Sequence, residues 1–201
     1  IKSLKQANII GLPTETVYGL AGNAYSKKAV KKIFKLKKRP KFNPLIVHYD
    51  SFKEASKDVY LNEKFHKLYK KFCPGPLTFI LKKNKKSKIS SLVTANLGSV
   101  AVRFPSHKII KKILNLLEFP LAMPSANKSS GVSPVKPSDV SEEFSNKVKV
   151  VDGGISKIGI ESTVINLVGK ASILRPGVIT PKQLEKVLKI KIKISSPAIR
   201  L

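Results

Sequence analysis

Pro40 and Pro44 stand between an amphipathic run that ends near Lys37 and an apolar run, Leu45-Ile46-Val47. Proline fixes its own φ and pushes the preceding residue away from helix. The chain must therefore leave a helix near Lys37 and enter a strand near Leu45 through a stiff connection. Ala29, Val30, Ile33, Phe34 and Leu36 recur at helical spacing among lysines, and Ser26 can cap the start, so a helix is expected over 27–37. Lys37 and Arg39 then sit on a helix end and a rigid loop rather than on a mobile tail. They can grip phosphate or carboxylate, or simply stabilise a helix C-terminus, where cations are favoured. His48 closes the apolar run beside this loop, a position that serves packing as readily as function.

The other segments alternate short apolar runs with helical spacings. Residues 7–12 read as a strand entering Pro13-Thr14-Glu15-Thr16-Val17-Tyr18-Gly19-Leu20. These hydroxyls and the Glu15 carboxylate, followed by Tyr18-Gly19, suit a polar site, or a turn whose threonines satisfy local backbone groups. Ser51 and Glu54 have capping-box spacing before a short helix. A second helix is expected over 62–72, with Phe65, Leu68, Tyr69 and Phe72 inward. Residues 77–81 and 99–105 read as strands, the latter carrying Arg103 near its end. Residues 106–117 read as a helix burying Ile109, Ile110, Ile113, Leu114 and Leu117. A short strand over 119–123 leads to a polar loop, where Ser125 and Asn127 can point the same way in extended chain. A helix over 139–144, strands over 147–151, 160–167 and 173–177, a capped helix from Thr180 to 188 and a half-buried strand over 189–195 complete the chain. Without strict strand–helix–strand alternation, this predicts a single α/β domain on a twisted, mostly mixed sheet flanked by helices.

At 201 residues and 42% hydrophobic content, the chain is large enough for one domain with a real core. No apolar run has membrane-spanning length, and no secretory pattern is present, so no membrane partner and a cytoplasmic location are expected. The lone Cys73, among Phe72, Pro74 and Gly75, is expected to be a packed, inert thiol. The net charge of +27 favours anionic partners. Only four of the 39 basic residues are arginine, however, and the lysines are spread throughout, which also fits compositional bias. The scarce arginines are more informative, because Arg gives planar, bidentate recognition of carboxylate and phosphate. Arg103 on an apolar strand must meet a carboxylate or an anionic ligand. With 12 acidic residues in the chain, the ligand is the favoured expectation.

Thr14, Thr16, Lys37, Arg39, His48, Arg103, Ser125, Asn127, Ser162 and Arg175 fall at expected strand ends, where α/β sheets build ligand sites. The site is expected to be cationic, rich in hydroxyls and poor in carboxylates. No phosphate-loop glycine pattern, defensible Ser/His/Asp order or His/Cys metal set is present. Stabilising phosphate charge during transfer fits this chemistry best.

The segments PTETVYGL (13–20), KxRPKFNPLIVH (37–48), PGPLT (74–78), VAVRFP (100–105), PSANxSG (124–131), STVI (162–165) and LRPG (174–177) together resemble the threonylcarbamoyl-AMP synthase family, which has the YrdC-like fold. The resemblance implies that L-threonine, bicarbonate and ATP give threonylcarbamoyl-adenylate and pyrophosphate, and that transferase proteins pass the group to tRNA. It implies ATP binding by Lys37, Arg39, Asn43, Ser99, Ser125, Asn127, Ser133 and Arg175, with Lys37, Arg39, Ser125 and Asn127 nearest the chemistry. It implies threonine binding by Thr14, Thr16, His48, Arg103 and Ser162. Mg2+ would be carried by the phosphates, with no protein-bound metal.

Lys38 stands where the family commonly has glycine. Because the first residue is Ile1, the sequence is expected to be a segment of a longer chain. Residues 1–195 would form the catalytic domain, and 196–201 would begin a linker to a C-terminal domain. Two alternatives stay open: a non-catalytic module of the same fold that binds tRNA or double-stranded RNA, and a carbamoyl-transfer domain of the hydrogenase-maturation type.

Overall fold

The computed structural model describes residues 1–129 and 131–195; the expected linker at 196–201 lies outside the described residues. Its frame is a ten-stranded mixed sheet. In chain order the strands are β1 (Ile10–Leu12), β2 (Gly19–Asn23), β3 (Ile46–His48), β4 (Leu77–Lys82), β5 (Ser99–Arg103), β6 (Leu121–Ala122), β7 (Lys149–Val150), β8 (Thr163–Asn166), β9 (Ser172–Arg175) and β10 (Lys193–Ile194). Across the sheet they run β10-β9-β8-β4-β5-β3-β6-β2-β1-β7. The β3–β5, β4–β8, β9–β10 and β1–β7 pairs are parallel and the others antiparallel.

The helices are α1 (Lys2–Lys5), α2 (Lys27–Lys37), α3 (Phe52–Ala55), α4 (Glu63–Phe72), α5 (Lys108–Asn115), α6 (Pro137–Glu143) and α7 (Pro181–Leu188). Helix α2 forms where the periodicity predicts it. The Ser26 hydroxyl accepts the Ala29 amide at its start, and Ala29, Val30, Ile33 and Phe34 are buried. Each fully buried Ile or Phe side chain contributes about 1.5–3 kcal/mol of transfer free energy. The helix packs closely on β2: a Cβ at Gly22 would lie 3.2 Å from the Ile33 side chain. It ends at Lys38, which holds the left-handed conformation (φ 49°, ψ 35°) that favours glycine. The main core gathers Val30, Ile33, Phe34, Val47, Phe65, Phe79, Val102, Phe104 and Ile165; smaller clusters lie around α5 and α6.

Two expectations need correction. Helix α5 buries Ile110 and Leu114 fully, whereas Ile109, Ile113 and Leu117 are only partly covered. The half-buried strand expected over 189–195 is the exposed two-residue β10, because Lys189 caps α7 in the left-handed conformation and takes up the first part of the segment. Strand β2 and helix α1 carry no clear signal of their own: β2 is small residues around Leu20, and α1 is a single turn.

Candidate active site

The turn after β1 builds one wall of a cleft. The Thr14 hydroxyl accepts the amides of Thr16 (3.1 Å) and Val17 (3.2 Å) and donates to the Val17 carbonyl (2.6 Å), so it does satisfy local backbone. Thr16 differs: its hydroxyl lies 2.8 Å from that of Thr14 and accepts a hydrogen bond from Arg103 Nη2 at 2.8 Å. The turn is tied to residues 153–159 by the Tyr18 hydroxyl, which donates to the Gly154 carbonyl and accepts the Gly153 amide, and by Ser156 Oγ, which donates to the Thr14 carbonyl.

Arg103, at the end of β5, pairs with Glu15, Nη2 to Oε1 at 2.7 Å, with both side chains almost wholly buried. The carboxylate's other oxygen accepts the Ser106 amide at 3.0 Å. Burial alone would raise the Glu15 pKa, but the Arg103 guanidinium and these hydrogen bonds hold it below the usual carboxylate value. Of the two partners expected for Arg103, a carboxylate and an anionic ligand, the structure shows the carboxylate, Glu15. Among the described residues the buried Arg103 Nε has no hydrogen-bond partner. Ser162, just before β8, shares a 2.7 Å hydrogen bond with Thr78 and accepts one from Arg175 Nη2 at 3.1 Å. Arg175 Nη1 pairs with Glu161, whose other oxygen accepts from the Ser133 hydroxyl at 3.3 Å. The site is thus not carboxylate-poor, because Glu15 and Glu161 each hold an arginine of the cleft.

The opposite end is built by the Lys37–Pro44 connection. Arg39 Nε donates to the Asn43 carbonyl (3.2 Å) and Nη2 to the Pro44 carbonyl (3.0 Å), which fixes the guanidinium beside Arg175 and Glu161. Burial, then the nearby Arg175 charge, lowers its pKa against the pull of Glu161. The Asn43 side-chain oxygen is buried and unpartnered. Lys37 is 1% exposed, and its ammonium donates to the carbonyls of Ser125 (2.7 Å) and Asn127 and to Asn127 Oδ1 (3.5 Å). The Asn127 amide donates to the carbonyls of Lys128 and Gly131.

Thr14, Arg39, His48, Arg103, Ser125, Ser162 and Arg175 line one cleft, together with Val17, Tyr18, Ile46, Met123 and Glu161. Thr16 and Lys37 do not line it but hold residues that do, Arg103 and Ser125, and Asn127 lines a neighbouring groove. Ser133 lines the same groove and reaches the cleft through Glu161. Ser99 begins β5, four residues and roughly 13 Å from Arg103. The β3–β5 register, continued, puts it level with Pro44 on the Arg39 side. His48 is 1% exposed, with neither ring nitrogen in a well-formed hydrogen bond. Burial and then Arg103 push its pKa well below 6.5, so the ring is neutral. Cys73 is partly covered, and burial pushes its thiol up to about 12, as an inert thiol requires.

Reasoning from the sequence places the Glu15 carboxylate in a polar site but does not pair it with Arg103, and it assigns no role to Glu161, Tyr18 or Thr78. Among the described residues, no group of three or more His, Cys, Asp or Glu side chains converges, and no helix is long and apolar enough to cross a membrane.

The chain is an α/β domain on a mixed sheet, with a cleft lined by three arginines, hydroxyls and a neutral histidine, a lining whose charge suits small anionic ligands. The family model Sua5/YciO/YrdC, described as telomere recombination, matches residues 2–177, and the chain belongs to that family. It is 42% identical over 190 residues to the threonylcarbamoyl-AMP synthase of Pyrococcus abyssi, covering 92% of this chain and 55% of that protein. It is 41% identical over 189 residues to the Bacillus subtilis enzyme of the same name, covering 92% of this chain and 54% of that one. It thus spans about half the length of these relatives. The crystal structure of P. abyssi Sua5 complexed with L-threonine superposes with a TM-score of 0.90 at 42% identity, covering 95% of this chain and 57% of that one.

Proposed function

We propose that the cleft converts L-threonine, bicarbonate and ATP into L-threonylcarbamoyladenylate and pyrophosphate, for threonylcarbamoyladenosine formation in tRNA. The observation that carries this reading is one cleft lined by three arginines, Arg39, Arg103 and Arg175, together with Thr14, His48, Ser125 and Ser162. Arg103 is braced by Thr16, Arg175 contacts Ser162, and Arg39 is held on the Pro44 side. Such a cleft suits an amino-acid carboxylate and a triphosphate bound side by side. Relatives named threonylcarbamoyl-AMP synthase support the same chemistry.

The threonine amine takes up carbon dioxide, derived from bicarbonate, and loses a proton to become a carbamate. A carbamate oxygen then attacks the α-phosphorus. One P–O bond forms as the bond to the bridging α–β oxygen breaks, and pyrophosphate leaves. This step needs proximity and charge stabilisation rather than a protein nucleophile. The remaining donors of Arg103 pair with the threonine carboxylate. Neutral His48 offers one N–H and one lone pair to the bound amino acid without competing for that carboxylate as a cation. Arg39 and Arg175 take the phosphate charge, with Ser125, Ser133, Asn43 and Ser99 completing the nucleotide side. Magnesium enters with ATP as the substrate complex, because the cleft's carboxylates, Glu15 and Glu161, are already engaged by arginines.

In this reading residues 1–195 are the catalytic unit and 196–201 begin a linker. The enzyme is cytoplasmic, and transferase proteins and tRNA are its downstream partners. The test is incubation with 13C-bicarbonate, L-threonine and ATP, followed by mass spectrometry. The expected product is an adenylate carrying one labelled carbon, absent when any substrate is omitted. ATP turnover indifferent to threonine overturns the proposal.

A further inference from the structure

Lys37 belongs to the cationic segment expected either to grip an anion or to stabilise a helix end, yet its side chain does not line the cleft. It closes α2, is 1% exposed, and meets three oxygen acceptors: the carbonyls of Ser125 and Asn127 and Asn127 Oδ1. An ammonium has three donors, so this set matches its capacity. The backbone carbonyl of Lys37 also accepts the Ser129 amide at 2.9 Å. One residue therefore holds the 125–129 turn from both ends.

From this geometry we infer that Lys37 is a positioning residue, which ties the end of α2 to the 125–129 turn and so sets Ser125 opposite Arg39, and that it makes no contact with phosphate. Asn127 belongs to the same frame, since its amide is spent on the Lys128 and Gly131 carbonyls and its oxygen on Lys37. The charged groups around the ammonium are consistent with this. Burial, then Arg39, lowers its pKa to about 7, while Glu161 and Glu143 raise it only partly; Lys128 is the cation on the turn itself. Among the described residues no carboxylate pairs with it directly. Above neutrality the neutral amine keeps two protons for three oxygens, and one contact is lost.

The test has two arms, and only the second rests on the nucleotide reading. In the wild-type protein with 13Cε-labelled lysine, NMR titration is expected to show a lysine with a midpoint near 7 that is absent from Lys37→Met. Saturation with the β,γ-imido analogue of ATP is expected to move that midpoint by less than about two units. No lysine titrating near neutrality, or a larger rise on analogue binding, overturns the inference; both of these are read from the wild type. In the second arm, affinity for the analogue is measured against NaCl. Lys37→Met is expected to weaken binding roughly 10- to 100-fold with the salt slope unchanged, whereas Arg39→Gln flattens the slope. A slope flattened equally by Lys37→Met overturns the inference. Absence of analogue binding by the wild type would count against the nucleotide reading and leave the first arm standing.

Discussion

Glu15 and Arg103, 88 residues apart in the chain, meet at 2.7 Å in the wall of the cleft, with side chains 11% and 5% exposed. The pair fixes which guanidinium donors remain for a ligand. Nη2 is taken by Glu15 and Thr16.

Removing one partner of a buried pair leaves an uncompensated charge, at a cost of about 3–5 kcal/mol. Glu15→Ala is therefore expected to lower urea-unfolding stability by that amount and to raise the KM for threonine more than that for ATP. Because the folded pKa of Glu15 is depressed, its stabilisation is present above the unfolded carboxylate pKa and is lost as pH falls through the folded value. The stability gap between wild type and Glu15→Ala should narrow on acidification below about pH 4.3. A constant gap would contradict the pairing argument.

Lys37 carries the opposite charge with the same linkage sign. Its folded pKa of about 7 lies below the ordinary lysine value, so between the two the unfolded chain binds more protons, and stability rises with pH. The urea midpoint of the wild type should climb between about pH 7 and pH 10 relative to that of Lys37→Met. Parallel curves would contradict it.

Lys38 holds a left-handed conformation that is strained for a residue with a Cβ. Lys38→Gly is expected to stabilise the protein by up to about 1 kcal/mol, with unfolded-chain entropy offsetting part of the gain. A loss of more than that would show that the lysine side chain contributes more than its backbone strain costs.

Gly177 has a different reason to be glycine. A Cβ there would lie 2.6 Å from the Thr163 amide and 2.7 Å from the Glu161 carbonyl, both backbone atoms that cannot turn aside. Gly177→Ala should cost about 1–3 kcal/mol and disturb the Arg175–Ser162 contacts, with a measurable fall in ATP affinity. Unchanged thermal unfolding would refute this.

Much of the architecture was legible where a local signal exists. Helix α2 with its Ser26 cap and α7 with its Thr180–Gln183 capping box fall where periodicity and capping residues put them, and α4 falls where its apolar periodicity does. The mixed sheet followed from element order, but the strand sequence, with β2 joining β1 to β6, did not, because Gly and Ala carry no pleat signal. Within the site, the arginines were legible as rare, costly residues. Their carboxylate partners were not, because the Glu15–Arg103 and Glu161–Arg175 contacts are made by folding across the sheet. The burial of Lys37 was equally hidden: a cation at a helix end looks solvated until the 125–129 turn closes over it.

The most direct measurement is pyrophosphate release from ATP and bicarbonate, with and without L-threonine, by the wild type and by Arg39→Ala. The account predicts threonine-dependent release that falls by two orders of magnitude or so in the variant, on the scale of a lost charge-stabilising donor. Release that ignores threonine, or that survives the loss of Arg39 unchanged, would contradict it.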